Sequence, residues 1–292
     1  MKWLHRPYAS MMFLALLVGT PSAQAEQVTG KLLAAPGVTQ VEGSGGGGLV
    51  PWAVLAGYDS REQTSGTVFS TQVHLPDYRL NSQGVAVSFY DRVEVSYAKH
   101  RFDLGTLGGA LGVNDIEQDV LGVKARLYGD LIYSQWPQVS VGLQHRWLRD
   151  RAVAQVVGAD EADQGTDLYV SATKLWLDAF SGVNVLGNLT LRASRANQFG
   201  LLGYGGDVEK SHSINAETSI ALLPHPQWAI GAEYRQKPDN LSAFEEEDAG
   251  DVFVAYLPNE HFNVTGAWTN LGQIAGSKEQ KGFYLSLTGY LW

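Results

Sequence analysis

The sequence predicts an all-β chain: an antiparallel transmembrane β-barrel of about fourteen strands, with short periplasmic turns and longer extracellular loops. Three observations carry this. Runs of about ten residues alternate apolar and polar side chains at period two, as strands with one apolar face do. From residue 90 onward the connections run short, long, short, long. No stretch after residue 25 has the length and hydrophobicity of a transmembrane helix, so an apolar outer surface has to come from strands closed on themselves.

Residues 1–25 have the layout of a secretory leader. Lys2, His5 and Arg6 form a basic start, and Met11–Gly19 is apolar but shorter than the roughly 20 residues that cross a bilayer as a helix. Ala23-Gln24-Ala25 supplies a small-x-small cleavage site, so the expected mature start is Glu26. Setting aside Lys2 and Arg6, 19 of the 21 basic residues remain against 30 acidic ones, a formal charge of −11. That argues against nucleic acid as a partner, because such binding rests on basic side chains neutralising phosphates. The chain has no cysteine, hence no disulfide and no thiolate metal site. Its fold has to be large enough, or closed enough, to hold without them.

Residues 26–48 are a Gly-rich N-terminal segment and 49–292 the expected barrel. Thirteen strands are read from residue 49: about 49–58, 67–74, 79–89, 93–102, 116–128, 138–148, 167–177, 184–194, 212–222, 228–236, 250–257, 261–269 and 282–292. Short connections fall at 90–92, 129–137, 178–183, 223–227 and 258–260, and long ones at 103–115, 149–166, 195–211, 237–249 and 270–281. The last strand then ends on the periplasmic side. Single-chain bacterial barrels have an even strand number and keep both termini there. A fourteenth strand is therefore expected within 27–41, with EGSGGGG (42–48) as its outer loop. The competing count is twelve, with the N-terminal segment inside the lumen and one strand assignment in error. In that case Gly45, Gly46, Gly47 and Gly48 belong to a plug or gate.

Alternation assigns faces. Val93, Val95 and Tyr97 oppose Glu94, Ser96, Ala98 and His100; Leu189 and Leu191 oppose Asn188, Thr190 and Arg192. By the same rule Glu94, Lys124, Arg126, Gln144, Arg146, Arg192, Glu217, Glu233 and Arg235 face the lumen, since a charge facing lipid near the midplane costs about 2–4 kcal/mol. These five basic and three acidic groups suit a water-filled, weakly anion-leaning channel, or a paired network filling a closed barrel. Tryptophan gives an independent check, because its ring favours membrane interfaces. Trp136, Trp176, Trp228 and Trp292 fall at the periplasmic strand ends, and Trp52, Trp147 and Trp268 near the extracellular ends. Trp292, ending GFYLSLTGYLW, closes the barrel against the first strand.

The segment GKLLAAPGVTQVEGSGGGGLVPWAVLAGY (30–58), with FYDRVEVSYAKHRFD (89–103), SATKLW (171–176), LRASRANQFGLLGYGGD (191–207) and GAEYRQKPDNL (231–241), resembles an uncharacterised family of secreted proteobacterial proteins, classed as a domain of unknown function. The resemblance covers nearly the whole mature chain. It implies an outer-membrane barrel and brings no activity and no catalytic residues.

Local catalytic motifs are absent. His74, His100, His145, His212, His225 and His261 show no HxH or HExxH spacing, and there is no GxSxG elbow. The run Gly45–Gly48 lacks the Lys-Ser/Thr of a phosphate loop. The acidic loops EEED (245–248) and ADEADQGTD (159–167) lack EF-hand spacing; they read as solvated loops, or as carboxylates for divalent cations bridging lipopolysaccharide phosphates. The expectation is a non-enzymatic channel or transporter for a small solute, in the outer membrane of a Gram-negative bacterium. No cofactor or metal is expected; the expected partners are outer-membrane lipid and lipopolysaccharide and the barrel assembly machinery. The alternatives are a non-conducting structural or adhesive barrel acting through its outer loops and, behind that, a barrel hydrolase.

Overall fold

The computed structural model describes residues 31–149, 151–161 and 163–291; the expected leader, the start at Glu26 and Trp292 lie outside them. Twelve strands form one closed barrel. They are β3 (Thr64–His74), β4 (Arg79–Phe89), β5 (Val93–Asp103), β6 (Asp115–Tyr128), β7 (Gln138–Leu148), β8 (Gln164–Phe180), β9 (Val183–Ser194), β10 (Ser213–His225), β11 (Trp228–Arg235), β12 (Ala249–Asn259), β13 (Phe262–Asn270) and β14 (Lys281–Tyr290). Each pairs antiparallel with its sequence neighbour, and β14 closes on β3 from Phe283↔His74 to Tyr290↔Thr67.

The period-two pattern becomes a two-sided wall. On β5, Val93, Val95 and Tyr97 are exposed outward while Glu94, Ser96 and His100 are buried inside. On β12, Val252, Val254 and Tyr256 face out and Asp251, Phe253, Ala255 and Leu257 face in. Repeated around the ring, this gives an apolar outer belt of Leu, Val, Ile and aromatic side chains, the reverse of a soluble protein's surface. Leu189→Arg is therefore expected to cost about 2–4 kcal/mol, read by urea titration of the protein folded into lipid vesicles. Leu189 is mid-strand and 52% exposed on the outer face.

From β4 onward the short connections gather at one end and the long ones at the other, where the four-residue β3–β4 connection also lies. Phe89 to Arg92 makes a tight turn with Tyr90 and Asp91 both left-handed (φ 57° and 52°), the geometry whose twist matches a hairpin's. At the opposite end lie 104–114, which carries helix α1 (Gly105–Leu111), 149–163, which carries α2 (Ala152–Val156), and 195–212, 236–248 and 271–280. Trp136, Trp176 and Trp228 lie toward the turn end and Trp147 and Trp268 toward the loop end, all exposed outward.

Of the two counts expected, fourteen and twelve, the barrel has twelve, with the N-terminal segment inside the lumen. Neither 31–41, the described part of 27–41, nor 49–58 supplies a barrel strand. Residues 31–59 run inside the lumen, and their only regular pairing is a two-residue ladder of β1 (Val38–Thr39) with β2 (Gly45–Gly46). The physical reason is visible at Val50, Trp52, Ala53, Val54 and Leu55. All are buried, so this run has no lipid-facing side. Trp52 accordingly lies in the lumen, 3% exposed, and not at a membrane interface. The boundary expected at residue 48 moves to about Asp59. Twelve strands enclose more space than their own side chains fill, since eight already suffice for a filled interior, and the hairpin occupies the remainder.

Candidate functional site

The hairpin enters and leaves by the turn end. At its base, Lys31 bridges Asp59 (3.1 Å) and Asp91 (3.2 Å), and Asp59 accepts from the Asp91 backbone N–H at 2.7 Å. Arg126, expected in the lumen, sits at this rim, paired with Asp91 and Asp130. From there the chain climbs to Val41, whose carbonyl accepts from Ser82 Oγ (2.6 Å) and from His100 Nε2 (3.0 Å). It crosses the lumen through Gly43–Leu49 and descends through Pro51 and Ala53. The Pro51 carbonyl accepts from Thr190 Oγ1 (2.8 Å) and Ser171 Oγ (3.1 Å), and that of Ala53 from Ser140 Oγ (2.5 Å) and Gln138 Nε2 (2.8 Å).

These contacts are side chain to backbone. The small inward Ser and Thr residues of the strands satisfy the carbonyls of a non-strand segment, so the hairpin has no ladder with the barrel. Its glycines let it pass close to charged groups. The Gly45 N–H donates to Glu94, whose Oε2 also accepts from the Ala56 N–H at 2.6 Å, and Lys124 Nζ donates to the carbonyls of Gly45 and Val54, both at 2.7 Å. A Cβ on Gly47 would lie 1.8 Å from Glu233 Oε1, and Glu233 Oε2 accepts from the Leu49 N–H at 2.7 Å.

The half of the lumen nearer the long loops holds a closed ring of six charges. Five consecutive strands each give one: Arg146 on β7, Asp167 on β8, Arg192 on β9, Glu217 on β10 and Arg235 on β11. Arg146 Nη1 meets Asp167 at 2.7 Å, Arg192 meets Asp167 at 3.5 Å and Glu217 at 2.5 Å, and Arg235 Nε meets Glu217 at 3.2 Å. Glu42 of the hairpin closes the ring. Its Oε1 accepts from Arg146 Nε at 2.8 Å and Nη2 at 2.5 Å, and its Oε2 from Arg235 Nη1 at 2.8 Å. All six side chains are at most 4% exposed. Burial works against the ionised Glu42 carboxyl, but Arg146, Arg235 and Arg192 more than offset it and hold that carboxyl well below the usual carboxylate range. Inward Gly142 leaves room for the ring of Tyr169 opposite, over which Arg192 lies at 5.0 Å.

Glu42, Asp167 and Asp251 were missed by the sequence reading. Glu42 looked like the start of a loop, Asp167 like the end of an acidic one, and Asp251 went unassigned at a strand start. With them the buried lumen groups are Lys124, Arg146, Arg192 and Arg235 against Glu42, Glu94, Asp167, Glu217, Glu233 and Asp251. The buried groups are thus of both signs and largely paired with one another. Asp251 stands beside Glu233 across the β11–β12 register, and both its carboxylate oxygens and the nearby Tyr284 hydroxyl have no hydrogen-bond partner.

The loop end is also closed. Loop 195–212 folds inward and buries Leu201, Leu202 and Tyr204. Gln198 and Phe199 are consecutive left-handed residues (φ 46° and 60°), a conformation costing on the order of 1–3 kcal/mol each. Phe199 lies against the Arg235 guanidinium at 4.5 Å, and Lys237, paired with buried Glu246 at 2.5 Å, lies 5.7 Å from the same ring. Of the acidic loop residues, Glu246 is thus engaged, and Asp160 pairs with Lys210 at 2.8 Å. Among the described residues no three His, Asp or Glu side chains converge as a metal site. His100 is the buried histidine among those described, and its second ring nitrogen lies 3.0 Å from the Gln118 amide oxygen, which marks it as a lining group.

A family model described as "Protein of unknown function (DUF3034)" matches residues 35–288. The chain belongs to this family. The match begins inside the hairpin, so the DUF3034 pattern spans most of the hairpin as well as the barrel. No curated protein matches the chain. Among solved structures it is similar in fold to the KdgM porin (TM-score 0.48, 8% identity, 76% of this chain and 98% of that one) and to the Acinetobacter baumannii outer membrane protein Omp33 (0.48, 8%, 80% and 100%). It is also similar to the outer membrane phospholipase A from Escherichia coli (0.39, 9%, 78% and 91%).

Proposed function

We propose that the protein is an outer-membrane channel for a small solute, held shut by residues 31–59 and opened when this hairpin is displaced. The carrying observation is topological. Both limbs leave by the turn end, and no backbone ladder ties them to the strands, so the hairpin is withdrawable without unthreading or breaking a strand pair. In this reading residues 1–25 are removed on export, the turn end faces the periplasm, and the apolar belt meets outer-membrane lipid and lipopolysaccharide after insertion by the barrel assembly machinery. The protein then performs no catalysis.

A second reading, a non-conducting structural or adhesive barrel, is favoured by the dense hydrogen bonding of the hairpin and the inward fold of loop 195–212. Planar-bilayer conductance separates the two. Thr39 Oγ1 and Thr288 Oγ1 are 3.2 Å apart across the hairpin–barrel contact, and the chain has no native cysteine. Under an applied voltage that displaces the hairpin, the mature protein carrying Thr39→Cys and Thr288→Cys is expected to stay silent when oxidised and to open when reduced. Deleting residues 27–48 is expected to give steady conductance. A deletion variant that is folded by heat-modifiable mobility yet silent overturns the channel reading.

A further inference from the structure

We infer that Glu42 occupies a binding site for the solute's own carboxylate, and that a carboxylic acid with an apolar body opens the channel by taking its place. The inference rests on the gated-channel reading and adds the ligand class. Its basis is the unequal count on the barrel wall. Strands β7 to β11 present three guanidiniums and two carboxylates in strict alternation, and the missing third anion comes from the hairpin. With Glu42 withdrawn, Arg146 loses the acceptor of its Nε and one of two acceptors of its Nη2, which keeps Gln144 Oε1 at 3.0 Å, and Arg235 loses both Glu42 and the Leu49 carbonyl, which its Nη1 reaches at 3.0 Å. Two buried guanidiniums, fixed from behind by Asp167 and Glu217, then point at one position. Guanidinium groups fixed in this way match a carboxylate's two oxygens.

The approach to that position is apolar. Between Glu42 and loop 195–212 lies a cavity of about 20 Å³, walled by Leu80, Phe102 and Leu271 and roofed by Phe199 and Leu201. Phe199 covers Arg235, so a solute arriving from the loop end meets an aromatic ring before the guanidinium it covers. The cavity holds about one water, so an acid entering here has to lift Phe199 and Leu201 to pack its body among these side chains, and it then places its carboxylate where Glu42 now sits. Solute and hairpin are thus mutually exclusive on Arg146 and Arg235, and binding from one side releases the plug toward the other.

The test is bilayer conductance of the full mature chain with phenylacetate, and with phenylacetamide as its neutral counterpart. Phenylacetate is expected to raise open probability and phenylacetamide not to. Glu42→Gln removes the competing charge, and its half-effective phenylacetate concentration is expected to fall at least tenfold. Equal responses to acid and amide overturn the carboxylate assignment. A wild type indifferent to both compounds, beside a conducting 27–48 deletion, overturns the ligand while leaving the gate intact. A silent deletion sinks the gate itself.

Discussion

Replacing Arg146 by methionine is expected to destabilise the folded protein by about 3–5 kcal/mol, measured by urea unfolding in lipid vesicles. Methionine fills much of the same space, so the loss is electrostatic. Arg146 is fully buried and serves Glu42 and Asp167 together. Without it Glu42 keeps one guanidinium and Asp167 keeps Arg192 at 3.5 Å, and neither carboxylate can reach water. Adding Glu42→Gln should recover part of the loss. A coupling of about 0.5–3 kcal/mol in the double-mutant cycle identifies the pair as interacting directly. If the single variant loses under 1 kcal/mol, the ring is not a stabilising unit.

Gly46→Val is expected to convert the silent barrel into a conducting one, with at least a tenfold rise in open probability and little change in barrel stability. A Cβ at Gly46 meets the Val50 carbonyl oxygen at 2.6 Å, the Trp52 nitrogen at 2.7 Å and the Pro51 Cα at 2.9 Å. All three are backbone atoms of the returning limb, so no rotamer change relieves the clash. The limbs have to separate in a lumen with no spare width, whereas the strands lose nothing directly. Overpacking of this kind costs typically 1–3 kcal/mol, and it falls on the hairpin alone. Gly266→Ala is the matched control, because a Cβ there has no neighbour within 4 Å. A Gly46→Val protein as silent as wild type would mean that the hairpin tolerates distortion in place.

Both variants bear on the hairpin, where the sequence was least readable. The barrel strands were legible because lipid outside and a polar filling inside impose opposite demands on successive residues. Strands such as β4 and β7 therefore have the bounds that alternation gave. LVPWAVLAG (49–57) satisfies neither demand in alternation. A short apolar run is ambiguous between a strand and any other fully buried segment, and the even-number rule did not decide, since adding one strand or removing one both give an even count. Glu42 was illegible for another reason. Its partners Arg146 and Arg235 lie 104 and 193 residues away, and only the closed ring brings them together. The inward arginines could be read from alternation; the anion completing them could not.

The placement of both hairpin limbs at one end has a mechanical consequence. A pull on the Lys31 end from the turn end loads the hairpin's contacts one after another, as a zipper is opened. The salt bridges of Lys31 yield first, then the Val41 carbonyl contacts, and then Glu42. A thread crossing the barrel from end to end would load them all at once. Serial rupture needs little force and releases the ions of the ring only after the rim has parted, so a weak pull applied slowly would suffice where a strong simultaneous one would not.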